Sequence, residues 1–111
     1  MIGGRVFHVS IPFDALPWQA GGHPLERKKS DPRTPITLLE FAPGFADPNW
    51  CVRAHSGLVL SGTLRMEYGG LAAEACDYGE GQGFHIELGT PHRASNPGAV
   101  PVRLFIVSSG A

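Results

Sequence analysis

The chain has 111 residues, enough for one hydrophobic core and too few for two. Hydrophobic residues make up 42% and charged residues 17%, which excludes general disorder; nine Lys and Arg against ten Asp and Glu lack the basic excess that nucleic-acid binding needs. No run approaches the ~18 apolar residues of a membrane span, and the opening Met1-Ile-Gly-Gly-Arg-Val-Phe-His lacks a signal-peptide stretch, so the expected location is the cytoplasm with no membrane partner.

Fifteen glycines and ten prolines are spread along the chain, the pattern of many short strands joined by tight turns. Arg5–Ile11 alternates apolar and mixed residues and predicts a first strand, ended by Pro12. Residues 14–35 show little periodicity, with Gly21-Gly22, Pro24, Pro32 and Pro35, and predict a long irregular segment; its cluster Arg27-Lys28-Lys29 reads as a solvated loop. Ile36–Phe41 predicts a strand broken by Ala42-Pro-Gly. Short strands follow at Asn49–Cys51, Leu58–Leu60 and Thr63–Tyr68. Gly69-Gly70 marks a hairpin whose return strand is Leu71–Tyr78. After the Gly-rich link 79–83 come Phe84–Ile86, the Gly89-Thr-Pro91 turn, His92–Ser95, the turn Asn96-Pro-Gly98 and the β-prone finish Val100–Val107. No segment keeps a helical period, so the fold class is all-β, a sandwich or barrel with little or no helix.

Two segments stand out together. Gly44–Gly62 contains Asn49, Cys51, Arg53 and His55. Gly81–Asn96 contains Glu87, Gly89 and His92. They resemble the two motifs of the cupin superfamily, G(X)5HXH(X)3,4E(X)6G and G(X)5PXG(X)2H(X)3N. The second matches at Gly81, Gly89, His92 and Asn96, with Glu87 where the family has proline. The first matches at Gly62, but counting back places His55 at the family's Glu position and Cys51 and Asn49 at its two His positions.

The resemblance implies a double-stranded β-helix, or jelly-roll barrel. One domain would span 1–111, with 1–35 an N-terminal strand and loop extension and 36–107 the barrel. In the family, residues at these motif positions commonly hold one divalent metal. Carried over, the ligands are Cys51, His55 and His92, and the ion is Zn, Fe, Ni or Mn; Asn49 is a weak oxygen donor. The alternatives are that Cys51 is apolar filler and His55 a hydrogen-bonded core histidine.

Glu87 shares a strand face with His85 and reads as a general base beside His92, with His85 touching substrate; the competing reading is an ion pair of Glu87 with Arg93 or Arg103. Arg53 is placed to meet an anionic substrate, or else is solvated. Trp50 is expected on the outer wall, His8 and His23 on the surface, and Cys76 as filler. There is no Gly-X-Ser-X-Gly elbow and no P-loop.

Two functions follow. One is a metal-dependent enzyme on a small polar molecule, a dioxygenase, isomerase or decarboxylase. The other is a metal-free barrel that binds or senses a small ligand. The resemblance also implies a homodimer, with Val6–Ile11 as the strand pairing across a two-fold axis.

Overall fold

In a β-strand every second side chain shares a face, so the pairing register sorts each residue into the barrel or out of it. A computed structural model describes residues 7–108. Its strands are β1 Gln19–Ala20, β2 Glu26–Ser30, β3 Ile36–Phe41, β4 His55–Ser61, β5 Leu64–Tyr68, β6 Glu74–Tyr78, β7 Gly83–Ile86, β8 His92–Ser95 and β9 Val102–Ser108. A 3-10 turn, Gly70–Ala72, joins β5 to β6. All pairings are antiparallel, in one sheet of order β1-β2-β3-β9-β4-β7 and a second of order β6-β5-β8. The all-β jelly-roll expectation is met.

The inner rows of the large sheet run Glu26-Phe41-Val102, Lys28-Leu39-Leu104-Val59, and Ser30-Thr37-Ile106-Gly57-Phe84, with Ser108-His55-Ile86 at one end. From the small sheet, Leu64, Met66 and Ala94 face them and close the core. Phe41 and Phe45 stack with ring centres 4.0 Å apart. Gly57 sits where Phe84 folds over the backbone, for an added Cβ would clash with the ring.

The outer face carries the charge. Glu40, between Arg27 and Arg103 in register, accepts from both at 2.6 and 2.8 Å and is only 8% exposed. The Arg27 bond, helped by Arg103, holds its carboxyl below the usual range. Trp18 lies against Arg27, Lys29 and Arg103, and Phe13 packs edge-on to Phe105.

Three expectations change. Residues 7–11 form no strand, and Arg5 and Val6 lie outside the described residues, so the proposed dimer strand has no support. The Arg27-Lys28-Lys29 cluster is not a loop but the middle of β2. It lacks apolar alternation because its inner face supplies the polar members of a cavity wall and its outer face packs cations on Trp18. Asn49–Cys51 makes only one bridge, Cys51 to His92.

Gly62 turns β4 into β5 at φ +80°, and a Cβ there would meet the Pro101 carbonyl oxygen at 2.5 Å. Gly62→Ala is expected to cost about 2 kcal/mol, read as a lowered urea midpoint with an unchanged slope.

Candidate metal centre

Two loops at one end of the barrel are tied to each other through the backbone. Cys51 and His92 exchange both backbone bonds, at 2.8 and 2.9 Å, and Gly89 N–H donates to the Val52 carbonyl at 2.8 Å. Gly89 has φ +91°, which only glycine adopts at little cost, and it turns the chain so that His92 opens β8 pointing inward. His55 opens β4 on the inner face, beside Ser108 of β9.

The result is a cluster of donors. Cys51 Sγ lies 3.7 Å from His55 Nε2, and one ligand atom each from Cys51, His55 and His92 all fall within 4.8 Å of one another. The two imidazoles cross edge to face with centres 5.2 Å apart. Each is anchored through its other nitrogen. His92 Nδ1–H donates to the Thr90 carbonyl at 2.9 Å, which leaves Nε2 as a lone pair, and His55 Nδ1 bonds Ser108 Oγ at 3.0 Å. His92 is 4% exposed.

A tetrahedral ion with bonds of ~2.0–2.3 Å needs donors about 3.3–3.8 Å apart. The Cys51–His55 separation is already of that size, and two nitrogens and a sulfur suit a borderline-soft divalent ion. The residues fit the group.

Burial, then His92, then Arg53 lower the pKa of His55 below the ordinary 6.5. The neutral form is the one that coordinates. The unfolded chain takes up this proton near 6.5 while the folded chain still refuses it. Stability therefore falls as pH drops from about 6.5 toward the folded value. With a chelator present, the urea midpoint should decline from pH 7 to pH 5, and His55→Gln should flatten that decline.

The cluster opens into a cavity of about 390 Å³. Its walls are Leu39, Phe41, Met66, Phe84, Ala94, Leu104 and Ile106, with Thr37, Glu26, Lys28, Asp47 and Arg53 as polar members. Arg53 is exposed and lines the cavity.

Glu87 and His85 do not line it. His85 pairs in register with Ser56 on the outer face, and its Nδ1 lies 2.7 Å from Ser56 Oγ. Ile86, between them, is the buried residue, so the shared face of His85 and Glu87 is the outer one. A catalytic Glu87 and a substrate-touching His85 are therefore out of place. The ion-pair alternative fails as well, because Arg93 pairs with Glu67 and Arg103 with Glu40. Asn49 is exposed and lies outside the cavity lining. Trp50 is 46% exposed under Arg93, as expected of the outer wall. His23 packs on Phe45 instead of standing free at the surface. Cys76 faces inward opposite Met66.

Sequence reasoning missed Ser108, Thr90, Lys28, Glu26 and Asp47. Ser108 is 53 residues from His55. Only the register of β4 on β9 joins them.

The cupin domain model matches residues 38–108. A sugar phosphate isomerase of the cupin superfamily from Silicibacter pomeroyi is 11% identical, over 93% of this chain and 76% of that one, with a TM-score of 0.74. CENP-C of Drosophila melanogaster, bound to CAL1, is 16% identical over 91% and 85%, with a TM-score of 0.72. FeII HppE is 16% identical over 96% and 61%, with a TM-score of 0.68. At such identities the likeness shows the fold alone. No curated protein matches the chain.

Proposed function

The chain belongs to the cupin domain family, and from that premise we propose that Cys51, His55 and His92 hold one divalent transition metal, beside which the barrel binds a small polar molecule for enzymatic conversion. The observation that carries this reading is the convergence of three donors from separate segments, two of them oriented through their far nitrogens.

The fold alone does not choose the function. Of proteins similar to this chain, one is described as a sugar phosphate isomerase, one as FeII-bound, and one as bound to a protein partner. The donor cluster favours the metal-dependent class, because a partner-binding wall needs no thiol and imidazoles aimed at one interior point. When bound, the ion supplies Lewis acidity to an oxygen of the ligand.

The protein's own residues do the rest. His92 keeps its Nε2 bare for coordination, and Ser108 orients the His55 ring so that its Nε2 faces Cys51. The Cys51 sulfur would be the third donor to the ion. Arg53 meets negative charge at the cavity mouth. Leu104, Ile106, Phe84 and Met66 limit water around the reacting end.

Cobalt(II) titration of tag-free protein tests the reading. One equivalent should bind with a thiolate-to-cobalt absorption band and a released proton, and a strong chelator should reverse both. Absence of the band in wild-type protein would overturn it. A second reading, a metal-free ligand-binding barrel, draws on the exposed Asn49 and the departures of the first motif from the family pattern. It predicts small-molecule binding that is indifferent to the chelator.

A further inference from the structure

The cationic run of β2 divides by the alternation of the strand. Arg27 and Lys29 face outward and are matched, Arg27 by Glu40, and Lys29 by the Phe13 carbonyl at 2.7 Å and the face of Trp18. Lys28 faces inward, is partly buried and lines the same cavity as the three donors. Among the described residues no carboxylate pairs with it.

Two carboxylates share that cavity, and both are held by backbone donors. Glu26 accepts from Gly22 N–H at 3.1 Å, and Asp47 from Ala94 N–H at 3.2 Å. Lys28 therefore presents to the cavity an ammonium that no carboxylate of the described residues matches, and an anionic group of a ligand can meet it there.

The position of Lys28 also sets a length. His55 lies on β4 and Lys28 on β2, with β3 and β9 between them. Three strand spacings are about 14 Å across a flat sheet, and the four residues from the Lys28–Val59 row to His55 add about 13 Å along the strands; closing of the sheet into a barrel shortens that path, and a lysine side chain spans roughly 6 Å of it. The intervening wall is mostly apolar, with Leu39, Leu104 and Ile106. At ~30 Å³ per water, the cavity volume of about 390 Å³ holds on the order of a dozen waters, enough for an extended molecule and not for a polymer.

We propose, resting on the metal reading above, that the ligand is an elongated small acid: oxygen donors at the Cys51–His55–His92 end, an apolar middle along β3 and β9, and a distal carboxylate or phosphate on the Lys28 ammonium. Lys28 is a binding residue that sets specificity and has no part in the chemistry at the metal end.

The test is calorimetry on metal-loaded protein with a series of α,ω-dicarboxylates of four to eight carbons, each against the monocarboxylate of the same length. One dicarboxylate in the series should bind at least about ten-fold tighter than its monocarboxylate. Lys28→Met should remove that advantage with metal content and monocarboxylate binding unchanged, and Lys28→Arg should restore part of it. If no dicarboxylate outbinds its partner, or the advantage survives in Lys28→Met, the proposal fails. The ω-phosphorylated acid of the best length then identifies which anion is preferred. The same series with chelator separates the two readings. A Lys28-dependent preference that persists with chelator would take the metal out of ligand binding and leave the distal anion site standing.

Discussion

A His92→Ala variant should lose divalent-metal affinity by at least about a hundred-fold while still forming the barrel. His92 is the best fixed of the three donors. Its backbone exchanges two bonds with Cys51, its Nδ1–H is spent on the Thr90 carbonyl, and its ring is 4% exposed. Its Nε2 therefore has one orientation, toward His55 and Cys51. Removing it leaves two donors, too few to compete with water for the ion. Ser108→Ala gives the graded comparison. It deletes no ligand, only the anchor of His55 Nδ1, and is expected to weaken the metal about ten-fold. Circular dichroism separates metal loss from unfolding, and cobalt absorbance reports the centre itself. Unaltered metal affinity in folded His92→Ala would remove His92 from the ligand set.

The second large effect concerns stability. Asn96→Ala should destabilise the fold by about 3 kcal/mol, measured as a lower urea midpoint. Asn96 is 3% exposed. Its Nδ2 donates to the Phe41 carbonyl at 3.0 Å and the Val100 carbonyl at 2.9 Å, while its Oδ1 accepts from Gly98 N–H at 2.9 Å. One amide thus binds the end of β3 to the turn before β9, and truncation orphans a carbonyl inside the barrel. Asn96→Asp adds a pH signature. The new carboxylate would face two carbonyl oxygens, so its folded-state pKa should be raised. Stability of that variant is then retained at low pH and lost as pH climbs through that value. Asn96 closes the second motif, yet its bonds are structural; its variants should leave metal affinity in the folded fraction intact.

Much of the barrel was legible because its strands obey local rules. Ile36–Phe41 and His92–Ser95 match their expected bounds, and Gly69-Gly70 does lie between β5 and β6. β2 was not legible, because Glu26-Arg27-Lys28-Lys29-Ser30 carries no apolar residue. Its alternation separates a cavity wall from an outer cation cluster, and one cannot see that without the cavity. Glu87 and His85 failed for the opposite reason. Their common face was read correctly, but nothing local says whether a face is inner or outer. Pairing Ile86 with His55 turned Ile86 inward and both polar residues out.

An all-β fold, the turn at Gly89 that presents His92, and Cys51, His55 and His92 as the residues to watch were all legible along the chain. The strands and the turn rest on residue type and short spacing, which act within a few residues along the chain, and the three candidate ligands rest on the resemblance to the cupin motifs. That the three donors meet, that Ser108 and Thr90 orient the imidazoles, and that Lys28 lines the same cavity without a carboxylate partner among the described residues emerge only from the folded barrel. Those relations depend on which strand lies beside which and in what register, and register is settled by the whole sheet burying its faces at once.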